Sequence, residues 1–280
     1  MTTVAPSAPT EGRAARRRAA QEAAKRSHAR ARRRGGRGRR RARPRSGGPV
    51  VVLSRAVGEL FITVGLVMLL FVTYQLWYTN LLAQRTADGA AGSLRQTWER
   101  APDPAKAGQG AAPPVAAFEP GQGFAILHIP KLDLKVPVAE GISKPKVLDR
   151  GMVGHYGEGA LKTAMPSDPQ GNFAVAGHRN THGEPFRYIN KLAPGDPIVV
   201  ETRDAFYTYE MTSILPQTPP TNVSVIKPVP DGSGFTGPGR YITLTTCTPE
   251  FTSTYRMIVW GRMTEERPRS QGAPPALNSP

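Results

Sequence analysis

A long uncharged stretch constrains this chain more than any other feature. Residues 60–84 carry no charged side chain, and residues 60–78 are predominantly apolar. A helix rises about 1.5 Å per residue, so the apolar part would span roughly 28 Å, close to the hydrocarbon thickness of a bilayer. Trp77 and Tyr78 end this part, where aromatic rings favour the membrane interface. We therefore predict one transmembrane helix, an uncleaved signal anchor, over residues 55–80.

Almost all of the positive charge precedes this stretch. Residues 1–59 account for +14 of the formal net charge of +16. Like charges at such density repel and bury no surface, so we predict a disordered, arginine-rich cytoplasmic tail over residues 1–54. The positive-inside rule then predicts a single-pass protein of the cell membrane, with its N-terminus cytoplasmic and the residues after about 80 extracytoplasmic.

Two alternatives apply to this N-terminal region. The arginines of residues 30–45 suit nucleic-acid phosphates, but no aromatic residue lies among them to stack on a base. We therefore predict contact with membrane lipids and no nucleic-acid partner. A cleaved signal peptide is the second alternative, but its apolar region has only about 7–15 residues, and this one is longer.

Composition divides the remainder of the chain into three parts. Residues 81–120 are rich in Pro, Ala and Gly and are predicted to form an extracytoplasmic linker. The leucines at its start would extend the membrane helix or lie on the lipid surface, whereas the prolines after Arg100 favour an extended spacer. Residues 121–265 are predicted to form one compact domain, and residues 266–280 a flexible C-terminal tail.

The compact domain is predicted to be mainly β, with one or two short helices. Short β-like runs alternate with Gly, Pro, Asn and Asp turns, as in closed or sandwiched β structures. Weak helical signals occur only at residues 145–150 and 185–192. The predicted strands are 124–129, 135–138, 172–176, 197–202, 205–215, 240–244 and 257–261.

Cys247 is the only cysteine, which excludes an intrachain disulfide framework and a cysteine-based zinc ribbon. It ends a β-branched run and lies just before Pro249, where a strand must stop. A small buried hydrophobe is the alternative interpretation of a free cysteine. A thiol at a strand end beside a loop is, however, well placed to be a nucleophile in a cleft.

A nucleophilic thiol needs an imidazole partner, and His178 is the best candidate because it too follows a strand, residues 172–177. His128 lies inside an apolar run and is interpreted as a structural residue. His178 and His182, with Glu184, would be a zinc site only on a helix, and the glycines around them disfavour one. We predict no metal and no cofactor.

Arg256 begins the β-like run after the Cys247 loop, and is either a surface arginine or a hairpin neighbour of the cysteine.

The segments around Cys247, Arg256 and His178 together resemble those of a known family. Thr-Leu-Thr-Thr-Cys247 followed by Arg256 resembles the sortase active-site motif, and Ala-Gly-His178-Arg resembles the segment that carries the family's histidine. Residues 129–134 resemble its opening strand, and the resemblance covers residues 124–262. The Thr-Leu-Thr-Thr-Cys-Thr-Pro stretch and the basic tail are most similar to class E sortases of high-GC Gram-positive bacteria.

The resemblance implies a single closed eight-stranded β-barrel preceded by one transmembrane helix. It implies a membrane-anchored cysteine transpeptidase that cleaves the Thr–Gly bond of a C-terminal sorting signal, Leu-Ala-x-Thr-Gly in class E, through a thioacyl intermediate. The implied partners are surface proteins that carry the signal and the amine of the peptidoglycan precursor lipid II.

Carried over residue by residue, the resemblance makes Cys247 the nucleophile and His178 the acid that protonates the leaving amine. Arg256 would hold the substrate and stabilise the oxyanion, because its fork of donors suits that role better than lysine. Thr246 is assigned to substrate binding through its hydroxyl or backbone, and Tyr156 to reading the sorting signal.

Two further functions remain open from the residues alone. One is a cell-wall thiol transpeptidase of the L,D type, although the Ser-His-Gly-Cys context of that type is missing around Cys247. The other is a non-enzymatic, membrane-anchored binding module in which the cysteine is merely buried. The reactivity of Cys247 toward an alkylating agent separates catalysis from simple burial.

Overall fold

The computed structural model describes residues 20–26, 48–100 and 118–278 of the chain. Residues 20–26 form a short helix, α1, and α2 follows at Pro49–Thr73. A π-helical turn over Tyr74–Tyr78 leads into α3, Thr79–Arg100. Most of the predicted disordered tail lies outside the described residues, but its described parts, 20–26 and 49–54, are helical.

Helix α2 is long and apolar enough to cross a membrane, and none of its residues is buried among the described parts of the chain. An uncovered helix with an apolar stretch of this length is typical of a membrane span. It begins at Pro49, six residues before the boundary predicted for the span. The chain divides into two units within α2, between Leu66 and Val67, so α3 and all of the strands belong to one unit.

Eight strands form a closed barrel, as the resemblance implied. Their order around the barrel is β1-β2-β3-β4-β7-β8-β6-β5. Two neighbouring pairs, β2 with β3 and β4 with β7, are parallel, and the other six are antiparallel. The strands are β1 Gly123–Ile129, β2 Leu134–Glu140, β3 Val153–His155, β4 Gly171–Ala176, β5 Pro197–Thr202, β6 Ala205–Thr218, β7 Arg240–Thr248 and β8 Tyr255–Pro268.

The seven β-like runs of the sequence all lie within strands, and β3 is the strand that sequence reasoning missed. It has three residues, Val-Gly-His, all buried, so it shows no alternation of apolar and polar side chains. The two weak helical signals correspond to single 3₁₀ turns at Leu148–Arg150 and Ile189–Lys191.

The two faces of the sheet around β7 have different roles. The barrel interior is filled by apolar side chains that include Val175 on β4, Leu244 on β7 and Val259 on β8. The outer face carries a second apolar cluster that includes Ala174 and Trp260 and is covered by part of the β6–β7 connection. Because side chains alternate along a strand, residues 243, 245 and 247 of β7 share that outer face.

Residues 81–100, predicted as the start of a linker, form most of α3 and pack on the barrel. Ala83, Ala87 and Ala91 recur every fourth residue and are all buried. This spacing puts three small side chains on one helix face, where the helix can approach the barrel closely. The linker was predicted from its content of Pro, Ala and Gly, whereas the alanines of this part act as a packing face. Residues 101–117 lie outside the described part.

The C-terminal segment also differs from the flexible tail predicted for residues 266–280. Strand β8 continues to Pro268, and 3₁₀ turns follow at Arg269–Gln271 and Pro275–Leu277. Arg269 forms an ion pair of 2.9 Å with the buried Glu201 on β5. This buried charge fixes a segment whose composition alone suggested disorder.

Candidate active site

Cys247 and Arg256 are directly opposite each other in the β7–β8 hairpin. Facing residues of an antiparallel pair have Cβ atoms about 4.5–5.5 Å apart and point to the same side of the sheet. Cys247 is half-buried, one residue before β7 ends. The Arg256 guanidinium donates from Nη1 to the backbone oxygens of Ser253 and Tyr255, at 2.9 and 3.0 Å. The structure therefore brings together the predicted nucleophile and the predicted anion-binding arginine.

The parallel pairing of β4 with β7 brings His178 to the same edge of the barrel. Ala176 is paired with Thr245, so His178 and Cys247 each lie two residues beyond paired positions. Both chain neighbours of His178 are fixed to β7. The Gly177 amide donates to Thr245 at 3.1 Å, and Arg179 Nη1 donates to the Thr248 hydroxyl at 2.9 Å. His178 is thus held beside the strand end that carries Cys247.

Three groups surround the imidazole of His178. Its Nε2 lies 2.8 Å from Asp149 Oδ1, and its ring stacks on that of His182 with the centroids 5.2 Å apart. Burial lowers the pKa of His178 below its usual value; the hydrogen bond and charge of Asp149 oppose this, and the charges of His182 and Lys144 add to it. Asp149 therefore maintains part of the protonated population that burial alone would remove.

Tyr156 lies on the outer face, in line with Cys247. Its hydroxyl is 2.9 Å from Thr245 Oγ1, and Thr245 precedes Cys247 by two residues on β7. Burial raises the pKa of Tyr156, so the phenol is neutral at physiological pH. Its ring packs against the apolar cluster of the outer face. The site therefore combines a thiol, a guanidinium and a phenol on one face.

A buried histidine supports the segment that carries Tyr156. His155 is 1% exposed, and its Nδ1 lies 2.9 Å from Glu140 Oε2. The next glycine along the chain, Gly157, allows this pairing, because a Cβ there would lie only 1.5 Å from Glu140 Oε1. His155 is thus a structural partner of Glu140.

Thr246 occupies a different position from the one predicted for a residue that contacts substrate through its hydroxyl. Its side chain is 2% exposed, and its hydroxyl donates to the Gly177 oxygen at 2.9 Å. As its neighbours on either side in β7 face outward, Thr246 faces the opposite side from Cys247. Its hydroxyl therefore joins β7 to β4 immediately before His178.

The histidine pair of the zinc alternative is close in space, with a different third partner. Asp149, His178 and His182 each offer a ligand atom, all within 4.8 Å of one another. Glu184 instead accepts hydrogen bonds from Asn80 Nδ2, at 2.9 Å, and from Arg187. The contact between His178 and Asp149 is a hydrogen bond, whereas His182 Nδ1 lies 3.8 Å from Asp149 Oδ1 and is buried with no hydrogen-bond partner among the described residues.

Sequence reasoning missed several residues that shape the site. Asp149 was not among the predicted site residues, because no local pattern connects it to a histidine 29 positions away. Thr245 was detectable, since it lies two residues before Cys247 on the same strand face. His128, interpreted as structural, is buried and lies 2.8 Å from Glu201 on β5.

Comparisons with known proteins agree with this geometry. A family model described as the sortase domain matches residues 127–264. Sortase SrtE2 of Streptomyces coelicolor is 42% identical over 228 residues, which are 81% of this chain and 87% of that protein. This chain belongs to the sortase family. Sortases are cysteine transpeptidases, which confirms the enzyme class predicted from the sequence and decides against a binding module.

A second relative and a solved structure carry the name sortase E1. Sortase SrtE1 of S. coelicolor is 66% identical over 244 residues, which are 86% of this sortase and 66% of the length of SrtE1. The crystal structure of sortase E1 from S. coelicolor with a tripeptide in the active site covers 57% of this chain and 99% of that one, with 76% identity and a TM-score of 0.56. The class E resemblance and the closed barrel are confirmed.

Proposed function

We propose that this sortase cleaves the Thr–Gly bond of a C-terminal sorting signal and joins the new carboxyl end to an amine of the cell wall. The observation that best supports this proposal is the cross-strand pairing of Cys247 with Arg256. His178 lies at the same edge of the barrel, two residues after the end of β4. Acyl transfer requires a nucleophile, a group for the developing oxyanion and a proton donor for the leaving amine. These three residues provide the three groups.

The first half of the reaction forms a thioester. The Cys247 thiolate attacks the Thr carbonyl carbon, and the carbonyl electron pair moves onto oxygen, where the Arg256 guanidinium donates hydrogen bonds. The oxyanion then collapses, the C–N bond breaks, and protonated His178 transfers its proton to the departing Gly amine. The surface protein is left attached to Cys247 as a thioacyl group.

The second half reverses the proton transfer. The amine of the cell-wall precursor attacks the thioester carbonyl, neutral His178 takes the proton of the attacking nitrogen, and the thiolate of Cys247 departs. We assign the amine to lipid II, as the class E resemblance implies. Asp149 sustains the imidazolium form through its hydrogen bond to His178.

Tyr156 is proposed to read the sorting signal. Its neutral phenol lies on the face that carries Cys247, so it can offer both a hydrogen-bonding hydroxyl and an apolar ring to a peptide bound on that face. We propose Leu-Ala-x-Thr-Gly as the preferred signal, in keeping with the class. Thr246 contributes by fixing β7 to β4, next to His178, and through its backbone.

We propose further that α2 anchors the enzyme in the cell membrane as a single pass. The charge of residues 1–59 then keeps the N-terminus cytoplasmic and leaves the barrel outside, where surface proteins and lipid II meet. The same arginines would contact anionic lipid headgroups.

A peptide assay tests the reaction and the signal together. The full-length protein in detergent is incubated with Leu-Ala-x-Thr-Gly or Leu-Pro-x-Thr-Gly peptides, with and without triglycine as the acceptor amine. We expect cleavage after Thr, a thioacyl adduct on Cys247 by mass spectrometry, a triglycine product and a preference for the Leu-Ala peptide. The Cys247→Ala variant is the matched control. Absence of an adduct with both peptides would contradict the proposed reaction.

A further inference from the structure

The loop that follows His178 is held in a conformation that non-glycine residues rarely adopt. His182, Gly183 and Glu184 have φ values of 53°, 83° and 50°, so three consecutive residues are left-handed. Only glycine adopts this region at little cost, and runs of such residues persist only where their surroundings enforce them. Within the loop, the Glu184 amide donates to the Thr181 oxygen at 3.1 Å, and contacts from outside the loop add to this hydrogen bond.

Asn80 on α3 provides such contacts with both ends of its amide. Its Nδ2 donates to Glu184 Oε1 at 2.9 Å, and its Oδ1 accepts from the Gly183 amide at 3.2 Å. One side chain thus binds two of the three left-handed residues. Asn80 lies seven residues beyond the end of α2, the candidate membrane span.

Helix α3 is itself firmly fixed to the barrel. Gly151 packs so closely on it that a Cβ at that position would lie 2.6 Å from the Ala83 oxygen. At the other end of the helix, Arg95 Nη2 lies 2.6 Å from the buried carboxylate of Glu201. Helix α3, which carries Asn80, is therefore attached to the barrel unit near both of its ends. The contact at Gly151 lies two residues after Asp149, the hydrogen-bond partner of His178.

The strained loop is in turn in contact with the catalytic imidazole. The His182 ring stacks on that of His178, with the ring planes 29° apart. A shift of residues 182–184 would therefore displace the ring that covers His178 and change the burial and orientation of that imidazole.

We propose that Asn80 is a positioning residue of this sortase, and that α3 is part of the catalytic module. Asn80 enforces the left-handed loop, the loop places His182, and His182 with Asp149 holds the His178 imidazole in its working orientation. The consequence for catalysis rests on the role proposed above for His178. The module then begins at α3, earlier than the boundary at residue 121 predicted from the sequence.

The test compares two amide-to-alanine variants of α3 in the full-length protein. In Asn80→Ala we expect kcat with the Leu-Ala peptide to fall about tenfold while KM changes less than twofold, because His178 is misplaced for proton transfer and the face that carries Tyr156 and Arg256 is unaltered. Hydrogen exchange at the Gly183 amide should become faster. Gln96→Ala, at an exposed position of the same helix, should leave kcat and exchange unchanged.

A double variant that exchanges the amide of Asn80 with the carboxylate of Glu184 distinguishes a positioning role of Asn80 from a general loss of structure. Asn80→Asp alone places a carboxylate against Glu184 and should lower kcat at least as much as Asn80→Ala. Combining it with Glu184→Gln restores one donor and one acceptor in the same contact, with the amide now on the loop. We expect this double variant to recover kcat to within about threefold of the unaltered protein.

The outcomes are decisive in both directions. Unchanged kcat and unchanged Gly183 exchange in Asn80→Ala would overturn the proposal, as would a double variant no better than Asn80→Asp. If the unaltered protein cleaves neither peptide, the proposed function fails, and exchange alone decides the placement of the loop. Faster Gly183 exchange in Asn80→Ala then supports the contact, and unchanged exchange refutes it.

Discussion

Glu201 on β5 is a buried charge that binds Arg95 of α3, and its replacement should give a measurable change in stability. The side chain is 2% exposed and lies within hydrogen-bond distance of three basic groups, Arg95 at 2.6 Å, His128 at 2.8 Å and Arg269 at 2.9 Å. Burial by itself raises the pKa of this carboxyl. The hydrogen bonds from His128 and Arg95, together with their charges, outweigh burial and lower the pKa from 4.5 to about 2.

The pKa difference sets the size of the effect. At about 1.4 kcal/mol per pKa unit, a carboxyl that titrates near 2 instead of 4.5 contributes roughly 3 kcal/mol to the free energy of unfolding. Because the pKa is lowered in the folded state, this contribution is complete above pH 4.5 and is lost as the pH falls toward 2. Removing one partner of a buried ion pair typically costs about 3–5 kcal/mol, which agrees.

The prediction is that Glu201→Gln lowers the Tm at pH 7 by roughly 6–12 °C, taking about 2–4 °C per kcal/mol for a domain of this size. Thermal unfolding of the full-length protein, followed by near-UV circular dichroism from pH 7 to pH 2.5, measures it. Asp204→Asn is the control, because Asp204 is 57% exposed in its ion pair with Arg203, and such pairs contribute little.

Two results would refute the reasoning about Glu201. The first is a Tm for Glu201→Gln within about 2 °C of the unaltered protein at pH 7. The second is a Tm difference between the two proteins that stays constant below pH 4.5, since a lowered carboxyl pKa requires the difference to shrink as the native carboxylate becomes protonated.

The other predictions concern the site and the topology. Arg256→Lys should reduce kcat/KM by about a hundredfold in the peptide assay, the scale of one lost oxyanion donor, and near-normal rates would contradict the role of the guanidinium. Asp149→Asn should lower the NMR titration midpoint of His178 further below 6.5 and reduce kcat/KM at neutral pH. The substitution removes the charge and weakens the hydrogen bond that favour the imidazolium form of His178. A raised midpoint would refute this reasoning. Replacing the arginines of residues 30–45 by Gln should make the barrel less accessible to external protease in intact cells, with the purified enzyme still active; unchanged accessibility would argue against a topology signal.

Most strands of the barrel were predictable, because their β-branched and apolar runs end at recognisable turns. The side-by-side placement of Cys247 and His178 was also partly predictable, since both follow strand-like runs and the ends of neighbouring parallel strands meet at one edge. Strand β3 was not predictable, because three buried residues carry no periodicity. The C-terminal turns were missed because a buried carboxylate, rather than local composition, holds Arg269.

Helix α3 shows why composition can mislead. Residues 81–100 were predicted as the start of a linker rich in Pro, Ala and Gly, yet alanines at every fourth position are what a helix needs to lie close against a barrel. The distinction depends on whether a partner surface is present, and the sequence of the segment contains no information about that surface. The contact between Asn80 and Glu184 joins residues 104 positions apart and has no local signature.

The amino-acid sequence by itself determined the properties that depend on local chemistry. These are an apolar segment of membrane length, a positive charge concentrated before that segment, and short strands separated by turns, with Cys247 and His178 each at the end of one. The closed barrel and the role of Arg256 came from the resemblance to sortases. Only the tertiary structure decided what surrounds those groups. It pairs His178 with Asp149, turns Thr246 away from Cys247 and sets Asn80 against the loop beyond the histidine. Such partners are brought together by strand register and helix packing, which depend on the whole chain at once.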